Sequence, residues 1–248
     1  TDNIDGALIN DPVFTGDGLA FSLSANADLE ALNIDGSAAG ISFNNNAGSG
    51  LQTNVVNNAR LGTIDRLTVL NTTITGNAEN GIDIRRSGNG LYGPDAMNDR
   101  VVIGQQGQGN TFTNNGQAGL FILNANSIMP MMDPVLFDVD ITDNTFTENM
   151  DGIVLQGQAD ARFIGNVCDN EFNMNTQDGI RVTLQQSATL GDPTPGSDPF
   201  LIDGNQIIDS GRHGIFFDVN FSNPVQSFAF ANALIEESAF DGTRTLIQ

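Results

Sequence analysis

The chain contains no lysine and only one cysteine, one histidine and one tyrosine. With Cys168 alone, no internal disulfide framework can form, and its setting in Gly165-Asn166-Val167-Cys168-Asp169-Asn170 reads as a small packed thiol. No apolar run approaches the ~20 residues of a membrane-spanning helix, so no transmembrane segment is expected. No basic-then-apolar leader opens the chain, which places any export signal outside this sequence. No segment sustains a helical apolar period, and that disfavours an α/β fold. The missing lysine also tilts the charge: 30 acidic residues face 9 arginines, for a net charge of −21. Such a chain repels phosphate backbones and anionic membranes, so nucleic acid is not expected as a partner. Divalent cations and basic surfaces are compatible with it. The acidity is mostly aspartate, 24 residues against 6 glutamates, and aspartate accumulates in folds rich in turns.

What is abundant is a repeat. Seven glycines are each followed by Ile or Leu: Gly18-Leu19, Gly40-Ile41, Gly81-Ile82, Gly119-Leu120, Gly152-Ile153, Gly179-Ile180 and Gly214-Ile215. Two residues further on stand Phe21, Phe43, Ile84, Ile122, Leu155, Val182 and Phe217. Six or seven positions before the glycine comes an apolar residue (Ile34, Ile74, Phe112, Phe146, Phe172, Ile207), and three after that a small polar one (Ser37, Asn77, Asn115, Asn149, Asn175, Ser210). The alternation has period two, so each glycine leads a short strand with one buried face. A strand that recurs once per repeat pairs with its own copies, in parallel and about 4.8 Å apart. The glycines are expected to allow positive φ at a corner. Asn77, Asn115, Asn149 and Asn175 are expected to form an amide ladder from one repeat to the next. Glycine spacings of 22, 41, 38, 33, 27 and 35 residues leave room for inserted loops at 87–100, 124–134 and 186–199, with 44–60 read as a further extension. Insertions gathered on one side of a repeat array present a working surface.

Segments such as Asn144-Thr145-Phe146-Thr147-Glu148-Asn149-Met150-Asp151-Gly152-Ile153-Val154-Leu155 resemble the right-handed parallel β-helix repeat of the pectate-lyase-like superfamily, over roughly residues 10–240. The resemblance implies an all-β, right-handed parallel β-helix of about seven to nine rungs, residues 1–248 forming one domain. It says little of activity, because the superfamily holds lyases, glycosidases, epimerases, tailspikes, adhesins and surface-layer proteins. Residues 1–12 read as a rung in progress and 240–248 as the start of another, with no cap at either end. That leaves two readings, a piece of a longer chain or rungs that continue into a neighbouring molecule.

Candidate chemistry is sparse. Lyases of this superfamily use a Lys or Arg base, which here leaves Arg85, Arg86, Arg100, Arg162, Arg181 and Arg212. An outward arginine at its ordinary pKa is a poor base and reads as a counter-ion to neighbouring aspartates. Gly211-Arg212-His213-Gly214 resembles the Gly-His-Gly of polygalacturonases, but the accompanying Arg-x-Lys cannot exist here and no Asp-Asp pair is found. His213 instead falls where other repeats carry Asn80, Ala118, Asp151 and Asp178, a turn position. Leu91-Tyr92-Gly93-Pro94-Asp95 is similar to a stretch of alginate epimerases that lacks its His here, and Tyr92 reads as a buried anchor. No cofactor is required. Calcium is the one the composition accommodates, at Asp138, Asp140 and Asp143; two carboxylates on one strand face lie about 7 Å apart and need further ligands. Thr73-Ile74-Thr75, Thr111-Phe112-Thr113 and Thr145-Phe146-Thr147 form a Thr-x-Thr pattern that lapses at Glu171-Phe172-Asn173. Together these features lead to an expectation of a secreted or cell-surface structural and adhesive protein that self-assembles or stacks on neighbouring rungs. The alternative is a carbohydrate-active enzyme working on polysaccharide beside the inserted loops.

Overall fold

The computed structural model describes residues 2–5, 8–10, 16–38, 40–62, 66–93, 100–125, 136–191, 199–220, 230–231, 233–236, 239–241 and 246–247. The strands before residue 16 and after residue 219 enter through backbone pairing alone. Among the described residues there are strands and turns and no helix, hence none long and apolar enough to cross a membrane. Parts of the inserted segments, 94–99, 126–134 and 192–198, lie outside the described residues, and Asp95 with them.

Three parallel sheets carry the fold, and the chain visits them in a fixed order. One round runs through Leu32–Asp35 in sheet A, Ile41–Asn44 in sheet B and Leu51–Val56 in sheet C. The next repeats it with Leu67–Leu70, Thr72–Thr75 and Ile82–Ser87. Between the ends of each sheet, a strand therefore pairs with the equivalent strand one round earlier and one round later. Among the described residues sheet C holds eight strands, including Ala118–Ala125, Asp151–Gly157, Asp178–Gln185 and His213–Asn220.

Register turns the alternation of the sequence into interior columns. In sheet C, Leu19, Leu51, Ile82, Leu120, Ile153, Ile180 and Ile215 are mutual partners in succession. In sheet B the column is Phe43, Ile74, Phe112, Phe146, Phe172 and Ile207. The rings of Phe112, Phe146 and Phe172 stack at 4.6 and 5.0 Å, nearly parallel, so the inter-strand spacing doubles as an aromatic stacking distance. Each such ring is fully buried and contributes about 1.5–3 kcal/mol.

Two corners are built from asparagine. Asn46, Asn77, Asn115, Asn149 and Asn175 form one ladder, each Nδ2 donating to the next Oδ1 at 2.7–3.3 Å. The same Oδ1 accepts the preceding residue's backbone N–H, and Nδ2 also donates to the carbonyls of Phe43, Ile74, Phe112 and Phe146. A second ladder, not read from the sequence, runs through Asn110, Asn144, Asn170 and Asn205, with Thr72 N–H donating to its first member. The residue before each member of the first ladder is left-handed: Asn45, Gly76, Asn114, Glu148 and Met174 have φ between 52 and 66°.

The register corrects four expectations. Gly40-Ile41 does not belong to the glycine column; Ile41 lies in sheet B, and Gly50-Leu51 takes its place in sheet C. Ile34 sits in sheet A opposite Val69, and Phe43 occupies the sheet-B column instead. Ser37 is exposed in a turn, and Asn46 is the ladder residue of that round. Residues 44–60 are no loop extension, because they contain the sheet-C strand Leu51–Val56. The misreading has a physical source. The interior position two after Leu51 is Thr53, whose hydroxyl is satisfied by the buried Tyr92 hydroxyl at 2.8 Å, so a search for paired apolar residues passes over it.

The glycines themselves act sterically. Of the seven, only Gly40 has positive φ. A Cβ on Gly81, Gly152 or Gly179 would lie 2.4–2.6 Å from the carbonyl oxygen of the glycine one round on, and on Gly152 also 2.5 Å from Phe172. The column is thus a line of backbone crossings too tight for any side chain.

Candidate functional site

The outer face of sheet C gathers the chemistry. Outward positions between the buried columns run Gln52, Asp83, Phe121, Val154, Arg181 and Phe216 in one line and Asn54, Arg85, Leu123, Gln156, Thr183 and Asp218 in the next. A shallow depression of about 580 Å³ opens here, its floor shared by Phe121, Val154, Arg181, Gln156, Thr183 and Asp218.

Beside it runs the line that precedes the glycines, where Ala118 is the partner of Asp151, and Asp178 of His213. These positions, expected to be turns, instead open strands, and their carboxylates are buried. Asp151 accepts the backbone N–H of Asp178 at 3.1 Å and pairs with Nη2 of Arg181. Asp178 is fully buried; its Oδ1 accepts from Nδ1 of His213 at 2.8 Å, while its Oδ2 faces Nε of Arg181 at 3.8 Å without a hydrogen bond. An ionised carboxylate only accepts, so the proton of this contact sits on Nδ1 and Nε2 is left as the imidazole's second functional atom. The ring is steadied by stacking on Phe216, centroids 5.0 Å apart. Burial, and then the neighbouring Arg212 cation, hold the Arg181 guanidinium below its usual range, opposed by Asp218; it remains a cation at neutral pH.

Asp83 repeats the arrangement lower on the same face. Arg85 grips it with two bonds, at 2.7 and 2.8 Å, and Asn80 Nδ2 adds a third at 3.0 Å. That clasp, chiefly its hydrogen bonds, raises the Arg85 pKa further. Arg85 also lies over the Phe121 ring at 5.6 Å, and Arg212 over Phe216 at 5.7 Å. Arg86 turns the other way: it is buried inside, where Nε donates to the Gly90 carbonyl and the guanidinium covers Phe137.

The other sequence candidates lie apart. Asp138 and Asp140 share the outer face of sheet A, and Arg100 bridges both. Asp143, at φ 63°, turns away and accepts the backbone N–H of Gly107 at 2.6 Å. The three are not gathered into one centre, and among the described residues no group of three His, Cys, Asp or Glu has metal-holding geometry. Desolvation, and behind it the repulsion of Asp140, raises the Asp138 pKa against the pull of Arg100. Tyr92 is an interior anchor that also donates to the Arg85 carbonyl at 3.0 Å. Burial pushes the half-buried Cys168 thiol up to about 11, which leaves it unreactive at neutral pH. The threonines of the Thr-x-Thr pattern do align in sheet B, as Thr73, Thr111, Thr145 and Thr75, Thr113, Thr147, before Glu171 and Asn173 end both lines.

Set against protein-family models, curated proteins and solved structures, the chain matches none of them.

Proposed function

We propose that the chain is a right-handed parallel β-helix of the pectate-lyase-like kind, acting outside the cell as a structural and adhesive element. In this reading it stands in a surface or filament assembly, beside copies of itself or neighbouring rungs of a larger chain. Its contact surface is the outer face of sheet C, and its partner there is polysaccharide. One observation carries the adhesive part: the face is broad and shallow, and its acid groups are closed off. Only 3% of the Asp151 side chain and none of Asp83 or Asp178 is exposed, whereas Arg85 and Arg181 reach solvent above them. Sites that turn over small substrates are concave and enclosing. A flat strip of aromatic, amide, hydroxyl and guanidinium groups suits a polymer lying along it. The test is retention of the protein on immobilised polysaccharides, with negative-stain microscopy of the same sample for filaments. Absence of retention on a broad panel would remove the adhesive reading, and uniformly single particles would remove the assembly.

A second reading, a carbohydrate-active enzyme, is favoured by the His213–Asp178 hydrogen bond. An imidazole oriented by a buried carboxylate is suited to proton transfer. It requires new reducing ends or unsaturated uronate products from some polysaccharide, lost in His213→Gln; a panel without turnover dismisses it.

A further inference from the structure

The ligand class can be read from how the groups on this face are already used, an inference that rests on the adhesive reading above. We infer that the outer face of sheet C binds an uncharged, hydroxyl-rich glycan chain lying across successive rounds, with Phe121 and Phe216 as its two stacking platforms.

Phe121 and Phe216 occupy the same outward line, separated by Val154 and Arg181. Three inter-strand steps place them about 14 Å apart, a span that a short run of linked sugar rings covers. Neither ring belongs to the interior, yet both are fixed: Arg85 lies over one, and Arg212 and His213 lie against the other. A sugar ring has an apolar C–H face and a polar rim. Stacking on the exposed part of a phenyl ring buries the face, while the rim meets the adjacent line of Gln156, Thr183 and Asp218.

The charge of the ligand follows from the arginines. A uronate or sulfate is best held by the two-pronged edge of a guanidinium. On Arg85 that edge, Nε with Nη2, is already spent on Asp83. On Arg181, Nη2 is on Asp151 and Nε faces Asp178. What remains on each is the terminal Nη1–Nη2 edge, whose positive charge is already balanced by the buried carboxylate beneath it, so the edge offers N–H donors to hydroxyl oxygens without an uncompensated cation for an anion. The unsatisfied pair at the centre points the same way. Arg181 Nε and Asp178 Oδ2 face each other at 3.8 Å, both buried and neither hydrogen-bonded. A hydroxyl donates and accepts at once, so it completes this pair when Arg181 lifts toward solvent; a carboxylate only accepts and cannot serve Asp178. At longer range the net charge of −21 repels a polyanion before it arrives.

The experiment is isothermal titration with uncharged β-linked glucan, mannan and xylan hexasaccharides and, in parallel, hexagalacturonate, on the unaltered chain and on Phe121→Ala, Phe216→Ala and Phe216→Tyr. At least one uncharged hexamer is expected to bind. Each alanine variant should weaken it about tenfold, with an unchanged circular dichroism spectrum because both rings point outward, and the tyrosine variant should retain it. Tighter binding of hexagalacturonate than of every uncharged hexamer overturns the inference and leaves the adhesive reading standing. So does uncharged-glycan binding that is indifferent to both alanine variants. No binding by any oligosaccharide overturns the inference and the adhesive reading together.

Discussion

Replacing Asn115 with alanine tests the corner on which the stacking of rounds depends. The Asn115 Oδ1 accepts the Asn77 backbone N–H at 3.3 Å and Nδ2 at 2.8 Å, while its own Nδ2 donates to Asn149 Oδ1 at 2.8 Å and to the Ile74 carbonyl at 3.2 Å. Alanine removes all four. Some losses are cushioned: Asn77 Nδ2 keeps the Phe43 carbonyl, and Asn149 Oδ1 keeps the backbone N–H of residue 115. The Asn77 N–H has no such alternative in a buried corner. Stranding one donor costs about 1–3 kcal/mol and the remaining bonds about 1 kcal/mol each before compensation, so the total is about 3–5 kcal/mol. For a chain of this size that corresponds to about 6–20 °C in Tm, read by circular dichroism. Asn115→Asp should be worse still at pH 7, because a buried carboxylate would face two acceptors, Asn149 Oδ1 and the Ile74 carbonyl. Its deficit relative to Asn115→Ala should shrink in acid, where the protonated carboxyl donates one bond. A Tm for Asn115→Ala within about 2 °C of wild type, or an aspartate variant no worse than alanine at neutral pH, would refute the ladder energetics.

Three further outcomes follow from the geometry. Gly152→Ala puts a Cβ 2.4 Å from the Gly179 carbonyl and 2.5 Å from Phe172, so it should cost about 1–3 kcal/mol or more; Gly40→Ala meets nothing within 4 Å and should show only the smaller strain of its φ of 75°. Met174→Gly relieves a left-handed, exposed methionine at φ 52° and should raise Tm by a few degrees, about 1 kcal/mol; a fall in Tm would deny the strain. Asp138 has its pKa raised by the fold, so its favourable contribution is present below the unfolded value of 3.8 and is lost as pH rises through the folded value. Asp138→Asn should therefore raise Tm at pH 7 and lose that advantage below pH 3.8, and a variant less stable at pH 7 would reverse the sign.

The parts of this fold that were legible in the sequence are those where one residue type repeats for one reason. Asn77, Asn115, Asn149 and Asn175 could be aligned because only an amide both donates and accepts along a ladder. The second ladder escaped because its first step begins at Thr72, whose backbone N–H rather than an amide side chain makes the bond. The Gly40 misalignment arose where Thr53 replaces an apolar residue and is excused by Tyr92, a partner 39 positions away. The sheet-C site was legible only as a line of positions. That Asp151 and Asp178 are buried, and that Arg181 and His213 are drawn onto them, depends on register between rounds 27 to 35 residues apart, which no local pattern encodes.

The most direct test of the working surface is carbene footprinting of the chain with and without a bound uncharged hexasaccharide. Labelling should fall at Phe121, Val154, Arg181 and Phe216 and stay unchanged at the sheet-B threonines Thr111 and Thr145. Protection centred on sheet B, or on the Asp138–Asp140 face of sheet A, would contradict it.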